Sequence, residues 1–520
     1  MIREDYWEDL NITDDDIEAL YNHLLEVGAP LTPEEMAAAL VDIRLEHERQ
    51  KLERQRGKGS EVYLPKAHYQ TGQRLVFPAL EWAEGEVVGV RAAHNPTLPP
   101  FEVIQVRFEN GKTREFAAGL EDHILNEPPQ LDENNPLLNK NLVLATYGDT
   151  LAQRLEKALQ KNDEFVRIAG RWFPKALLIE VNIGHLNLAE AVLDMAGGGP
   201  LPTAQILAQI DFPTSDSPRL AEFSLDYALQ EDERFDEVGP AGKVLWFLRR
   251  LEPEPVQETP RFLRYRPLDY DRQALTPEML ALETALGDEH SPPPADPPAA
   301  GAVELALIFP HWRSGTLPLS AKTGHIFPTA YEAPRVRFTW VDGQTGETFP
   351  GWVVRPGKYV YGLEAWYHDK GLTPGSLLTL RPGVTKGQVI IEAHTHRPRR
   401  DWVRSVLVGS DGQITFAMLK QIISVDFDEQ MMITVPNLES LDEVWESGSQ
   451  NRVPLETLVV HMLRDLAKLT PQGHVHATGL YAAVNTVRRC PPGPIFALLA
   501  SRPWFVHLGD LYFRLDEAAI

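Results

Sequence analysis

The chain has 520 residues, of which 43% are hydrophobic and 24% are charged. This length is enough for about three or four domains that each bury a core. Its formal net charge of −24 excludes a protein that coats DNA through phosphate contacts over its whole surface. The N-terminal segment MIREDYWEDL lacks the basic and apolar regions of a signal peptide, and we expect neither a signal peptide nor a membrane span. The single cysteine, Cys490, is typical of a reducing cytoplasm.

Residues 1–60 are predicted to form helices. Three aspartates precede apolar residues that share one helix face, namely Ile17, Leu20, Leu24 and Val27. A second helix is predicted to begin after Thr32, a suitable N-cap, with Pro33 at its first position. This pair is similar to the first half of a helix-turn-helix.

Residues 61–130 change to the alternating pattern of short strands. Runs such as GEVVGVRAA and FEVIQVRFENGKTREFAAG contain β-branched and aromatic residues, with a turn at Asn110 and Gly111. We predict a small SH3-like β-barrel here. The pattern resembles barrels of the Tudor, KOW and CarD-like type. That resemblance implies binding to nucleic acid or to a protein partner such as RNA polymerase.

One sequence pattern occurs three times, in residues 158–173, 228–247 and 497–513. Each copy has a helix ending in Ala-Leu, a polar turn, an aromatic residue, a hydrophobic–Gly pair and a second aromatic residue. A helix followed by a tight hairpin is the closing half of a winged helix, and Gly170, Gly239 and Gly509 mark the hairpin turns. We predict tandem winged-helix repeats over residues 136–253 and a C-terminal winged helix over residues 450–520.

The second copy resembles the HARE-HTH family and the amino-terminal domain of the RNA polymerase delta subunit. The matching wing and closing positions are Arg234, Phe235, Val238, Gly239, Trp246 and Leu248. The resemblance implies a winged-helix fold and makes RNA polymerase a candidate partner.

Two further regions complete the predicted organisation. Residues 254–302 are rich in proline and are predicted to be an extended linker. Residues 303–436 are strand-rich and are similar to DNA-binding pseudobarrels, although Ser376 stands where the usual turn has an acid. The predicted fold class is therefore α+β multidomain, with winged-helix units, a small β-barrel and a second, pseudobarrel-like domain.

The densest basic cluster contains Arg397, Arg399, Arg400 and Arg404, with Trp402 nearby. Arginine contacts phosphates and guanine edges, and tryptophan can stack on a base, so we predict nucleic-acid contacts here. A solvated loop that balances nearby acids is the alternative.

Smaller basic sites occur in the predicted winged helices. Candidate contacts are Lys468, Arg488 and Arg489 in the last unit and Arg167 and Arg171 in the first wing. Arg488 and Arg489 close a predicted helix, where cations also offset the helix dipole. The second wing carries Asp236 and Glu237 instead, which predicts a packing or protein-binding role for it.

No pattern identifies a catalytic residue, a cofactor or a metal site. The pairs His394/His396 and His474/His476 have strand spacing, but no third ligand accompanies either pair at a recognisable spacing.

We predict a non-enzymatic DNA-binding or transcription-associated protein in the cytoplasm or on the nucleoid, with no membrane partner. Two alternatives remain open. One is an adaptor, for example one associated with RNA polymerase, that never touches DNA. The other is a nuclease or restriction-type component whose catalytic site the sequence does not reveal. The oligomeric state is not predicted.

Overall fold

The computed structural model describes residues 6–57, 61–77, 80, 83–93, 99–108, 111–126, 136–213, 217–294, 301–410 and 412–519. These residues form a mixed α and β structure with fifteen helices and several separate sheets. The chain divides into an N-terminal unit (1–167 and 171–178) and a C-terminal unit (168–170 and 179–520). Residues 1–5, Asn110 of the predicted turn and residues 295–300 of the predicted linker lie outside the described residues.

The N-terminal unit combines helices with a five-stranded sheet. In chain order its elements are α1 (Asp14–Val27), α2 (Pro33–Gly57), β1 (Glu61–Val62), β2 (Arg74–Phe77), β3 (Ala83–Ala93), β4 (Phe101–Phe108), β5 (Thr113–Ala118), α3 (Lys140–Leu159), β6 (Phe165–Ile168) and β7 (Arg171–Pro174).

The helices of this unit pack with the β6–β7 hairpin. Thr13 and Asp16 form a capping box at the start of α1, and Asp16 also pairs with Arg44 of α2 at 2.5 Å. Between α1 and α2, the backbone of Leu31 exchanges two hydrogen bonds with that of Trp172 in β7. The two helices of the region 1–60, which we predict as a separate domain, therefore pack with the first hairpin, although the sheet β1–β5 lies between them in sequence.

The strands β1 to β5 lie in sequence order in one sheet, with β1 parallel to β2 and the other neighbours antiparallel. One face is apolar and buried because inward side chains alternate with polar ones along each strand. Its core residues include Tyr63, Phe77, Val87 and Ile104.

The C-terminal unit begins with α4 (Ile183–Met195), α5 (Thr203–Leu207), α6 (Pro218–Gln230), β8 (Phe235–Glu237), β9 (Trp246–Leu248), α7 (Glu254–Gln257) and α8 (Pro277–Leu286). It continues with β10 (Val303–Ala306), α9 (Phe309–Ser314), β11 (Thr316–Pro318), β12 (Arg335–Asp342), β13 (Thr348–Val354), β14 (Tyr359–Tyr361), α10 (Glu364–Asp369), β15 (Leu377–Pro382), β16 (Gln388–Ala393), β17 (Thr395–Val408) and β18 (Ile414–Val425). The last elements are α11 (Leu438–Ser447), α12 (Ser449–Arg452), α13 (Leu455–Ala467), β19 (Val475–His476), α14 (Ala477–Val487), α15 (Pro492–Ser501), β20 (Phe505–His507) and β21 (Tyr512–Leu515).

Three sets of elements share one order: a helix, a one- or two-residue strand, two helices and a hairpin. The first set is α1, Leu31, α2, α3 and β6–β7, and the second is α4, Leu201, α5, α6 and β8–β9. The third is α13, β19, α14, α15 and β20–β21. In each set the short strand pairs with the last strand of the hairpin. We call these sets the three helix–hairpin modules.

The interval 254–302 differs from the extended linker that we predict. It contains α8, which begins at the N-cap Thr276 with Pro277 at its first position. Phe262, Leu275 and Met279 from this interval are buried in one core cluster with the third module. Proline content alone therefore misleads here, because proline is also favoured in the first turn of helices.

Residues 303–425 form a seven-stranded sheet and a separate two-stranded ribbon. The sheet order is β10-β15-β16-β12-β13-β14-β11, and its core includes Trp340, Leu378 and Ile391. The ribbon consists of β17 and β18. Near its turn, Val406 and Phe416 are buried in the core cluster of the third module, which anchors this end of the ribbon.

Candidate nucleic-acid interface

The predicted arginine cluster lies on strand β17 of the ribbon. In the antiparallel register, Arg400 is opposite Ile422, Trp402 is opposite Lys420, and Arg404 is opposite Met418. Because side chains alternate between the two faces of a strand, these six side chains project from the same face of the ribbon.

The other face of the ribbon is covered around Val403 and Ile423. Val403 and Ile423 form a small apolar cluster with Met432. The following segment runs beside β17: Thr434 N–H donates to the Arg404 carbonyl at 2.9 Å, and Val406 N–H donates to the Thr434 carbonyl at 3.0 Å. The ribbon is thus held from its back and from one edge.

The face that projects outward carries an exposed mixture of apolar and cationic side chains. Trp402 is 64% exposed, Ile422 66% and Met418 37%, while Arg400 and Lys420 are also exposed. We call these five residues the ribbon patch. Among the described residues, no ring or cation–π contact involves Trp402. Large exposed apolar side chains grouped in this way mark interaction surfaces.

Positive charge is concentrated on the ribbon. Its two strands carry five cations, namely Arg397, Arg399, Arg400, Arg404 and Lys420, against the single carboxylate of Asp401. Arg399 Nε donates to Asp401 at 2.6 Å, so this arginine is partly neutralised. In a chain with a net charge of −24, the ribbon is a local site of attraction for an anion.

Arg404 differs from its neighbours because its guanidinium is turned into the protein. It donates to the Glu429 carbonyl and lies against Gly479 of α14. Burial lowers the pKa of Arg404, although the nearby Asp428 partly restores it. This arginine holds the ribbon to the third module, and we leave it out of the ribbon patch.

Two other predicted contacts are buried. Arg489 has no exposed side-chain surface, and its guanidinium lies 2.8 Å from Asp288 and 2.7 Å from Glu289. Burial would lower the pKa of Arg489, but the two carboxylates outweigh that effect and raise it. Arg488, also buried, donates to the Val453 carbonyl at 2.9 Å. A nucleic-acid contact would require exposure, so neither arginine belongs to the candidate interface.

The remaining predicted cations form intramolecular pairs. Lys468 is exposed but lies 2.8 Å from Asp465 one helical turn away. In the first module, Arg167 pairs with Glu156 at 2.6 Å and Arg171 with Glu35 at 3.3 Å. Each of these three cations is therefore partly neutralised by a neighbouring carboxylate.

The hairpin of the second module packs inside the C-terminal unit. Asp236 pairs with Arg335 of β12 at 2.5 Å, and Val238 accepts a hydrogen bond from Arg337. Phe247 of β9 contacts Trp352 of β13 edge to face. This arrangement agrees with the packing role that the acidic residues of this hairpin indicate.

The third helix of a helix-turn-helix protein normally enters the major groove. In the third module the helix at the corresponding place in the element order is α15, whose residues 492–497 and Leu499 are buried. In the second module, the corresponding α6 buries Phe223, Leu225 and Leu229. Helix α15 has no free face for DNA, which directs attention to the ribbon.

A buried chain of polar groups resembles a catalytic arrangement in its residue types. Thr316 Oγ1 is 2.9 Å from His311 Nδ1, and His311 Nε2 is 3.1 Å from Glu289. All three residues are buried, and the cavity beside Glu289 and His311, about 10 Å³, has room for about one water. We interpret this hydrogen-bonded series of buried groups as structural, because a substrate has no access to it.

The described residues contain no cluster of histidine, cysteine or carboxylate side chains that could hold a metal ion. His474 and His476 instead lie against the ring of Tyr512, at centroid distances of 4.7 and 5.0 Å.

Sequence reasoning missed the contribution of β18 to this surface. Met418, Lys420 and Ile422 occur at every second position, which is the signal of a strand face, but nothing in the sequence pairs them with Arg400 and Trp402.

Comparisons with protein-family models, with curated proteins and with solved structures find no match to this chain. In the part of the chain that the structure describes, no helix is both long enough and apolar enough to cross a membrane.

Proposed function

We propose that this protein binds nucleic acid through the ribbon patch. The observation that carries the proposal is the exposed face on which Arg400 and Lys420 flank the uncovered ring of Trp402. Cations attract phosphates, and an exposed aromatic ring offers a base a stacking surface. The rest of the acidic molecule repels the polymer and restricts it to this site.

The element order of the three modules supports their assignment as winged helices, which is part of the proposal. We propose that these modules have a structural role and do not themselves contact the nucleic acid. The second hairpin packs on the seven-stranded sheet, and the third module anchors the ribbon through Val406 and Phe416. A cytoplasmic location and a role in transcription belong to the same proposal.

A protein-docking role is the second candidate, because Met418 and Ile422 add apolar surface that a protein partner could cover. RNA polymerase is one such partner through the delta-subunit resemblance alone. Salt dependence separates the two roles. The logarithm of the binding constant for phosphates falls linearly with the logarithm of the salt concentration, whereas that for apolar docking does not.

The test is the binding of the full chain to a fluorescein-labelled oligonucleotide of about 20 nucleotides, followed by anisotropy from about 50 to about 200 mM salt. We expect saturable binding that weakens with salt. The triple variant Arg397→Ala/Arg400→Ala/Lys420→Ala should lose at least about tenfold in affinity and show a shallower salt dependence.

The matched control removes three exposed cations elsewhere in the C-terminal unit, with the substitutions Arg264→Ala, Lys386→Ala and Arg452→Ala. Its net charge is identical to that of the ribbon variant. Equal loss of affinity in both variants, or no binding by the wild-type chain, would contradict the proposal.

A further inference from the structure

The chemistry of the ribbon patch discriminates between kinds of nucleic acid. A duplex presents phosphates and base edges to a protein, while the flat faces of its bases are stacked against each other. A single strand exposes both its phosphates and its base faces. The side chains at the centre of the patch show which of these surfaces fits.

The centre of the patch is apolar. Trp402 and Ile422 are about two-thirds exposed, and Met418 adds a third apolar side chain on the same face. Neither phosphate oxygens nor base edges can cover such a surface favourably, whereas an unstacked base can lie flat on an indole ring.

The cations are arranged around this ring. Lys420 is directly opposite Trp402, at a cross-strand Cβ separation of about 5 Å, and Arg400 is two residues away, about 7 Å along the strand. A base stacked on Trp402 would therefore place its flanking phosphates within reach of one cation on each strand of the ribbon.

The negative charge of the whole molecule also favours a single strand over a duplex. A duplex carries one phosphate charge per about 1.7 Å of its axis, so it brings a dense row of negative charge against an acidic surface. The free cations of the ribbon can neutralise only a few phosphates, because Arg399 is paired with Asp401 and Arg404 is half-buried and donates to the Glu429 carbonyl. Unstacking a duplex to reach its base faces would cost a few kcal/mol more.

We propose that the ligand of the ribbon patch is single-stranded nucleic acid, with one base stacked on Trp402 and the adjacent phosphates held by Arg400 and Lys420. This inference rests on the proposed function above. It places the base face, not the base edge, at the protein surface, and it therefore requires little sequence preference.

The experiment measures anisotropy of the full chain with labelled oligo-dT, oligo-rU and a mixed-sequence duplex of equal length. We expect each single strand to bind at least about tenfold more tightly than the duplex. Trp402→Ala should weaken single-strand binding about 5- to 150-fold, the range for loss of one base–aromatic stack, and Trp402→Phe should retain most of the affinity. The oligo-dT and oligo-rU results then show whether DNA or RNA is preferred.

Tyr331→Ala, which removes another exposed aromatic ring, is the control and should leave binding unchanged. Tighter binding of the duplex, or full affinity of Trp402→Ala for single strands, would overturn this inference while leaving the proposed function intact. Absence of binding to all three probes would overturn both.

Discussion

Arg489 is the residue on which the buried polar network of the C-terminal unit depends. Its guanidinium faces Asp288 and Glu289, and Tyr481 donates a further hydrogen bond to Asp288 at 2.7 Å. These carboxylates are 201 and 200 positions away in sequence, so no local pattern could pair them. Sequence reasoning could only recognise Arg489 as a cation at a helix end.

Substituting Arg489 tests this interpretation. We predict that Arg489→Ala lowers the free energy of unfolding by about 3–5 kcal/mol, because it leaves two buried carboxylates without the guanidinium that they share. Urea denaturation provides the measurement. Arg397→Ala, at an exposed position on the ribbon, should change stability by no more than about 0.5 kcal/mol. Equal effects of the two substitutions would show that Arg489 is not the centre of a buried network.

Asp226 provides a pH-dependent test in the second module. Burial raises the pKa of Asp226 to about 7, although hydrogen bonds from Thr203 and Trp246 oppose that shift. Since the folded pKa lies above the unfolded value of about 3.9, this group's contribution is fully present below the unfolded pKa and is lost as the pH rises through 7.

The substitution Asp226→Asn removes this titration. We predict that its stability relative to the wild-type chain rises by about 2–4 kcal/mol between about pH 4 and pH 8, because only the wild-type side chain must ionise in the core. Thermal unfolding at several pH values gives the difference. A relative stability that is flat, or that falls with pH, would contradict the assigned pKa shift.

At the scale of elements, the ribbon depends on the segment that covers its edge. Gly375 has a φ of +96°, and a Cβ there would lie 2.5 Å from the Cα of Met432, which packs behind the ribbon. Gly412, beside the ribbon turn, has a φ of +76° and open space around it. An alanine would strain the backbone at both positions, but only at Gly375 would its Cβ also lie too close to a neighbouring residue.

We predict that Gly375→Ala destabilises the chain by at least about 1 kcal/mol more than Gly412→Ala, because the backbone of Met432 must move. Chemical denaturation measures both variants. Binding of oligonucleotide should weaken in parallel for Gly375→Ala if the covering segment positions the ribbon patch. Equal stability of the two variants would mean that the close approach carries no cost.

The helices and strands also show which parts of the fold the sequence patterns can predict. The repeated helix–hairpin pattern locates all three hairpins, because each depends on local turn and periodicity signals. It does not reveal that α1 and α2 complete the first module, since about eighty residues of intervening chain separate α2 from α3. Packing between segments so far apart in sequence can be recognised only in the folded structure.

At the scale of the whole molecule, charge and architecture restrict the binding surface. The net charge of −24 disfavours contact between nucleic acid and the molecule as a whole, and helix α15 of the third module is buried. The α+β composition was predictable from the alternation of periodicities, whereas the location of the binding surface was not. The arginine cluster was identified from sequence, but the predicted set is smaller in the structure, because Arg488 and Arg489 are buried and Arg404 is half-buried against α14.

Hydrogen exchange of the full chain, with and without saturating oligo-dT, tests the central proposal most directly because it locates the binding surface without substitutions. The proposal predicts slower exchange in peptides that cover residues 399–404 and 418–422, with little change in α6 and α15. Slower exchange confined to those helices, or an unchanged ribbon in the presence of bound oligonucleotide, would contradict it.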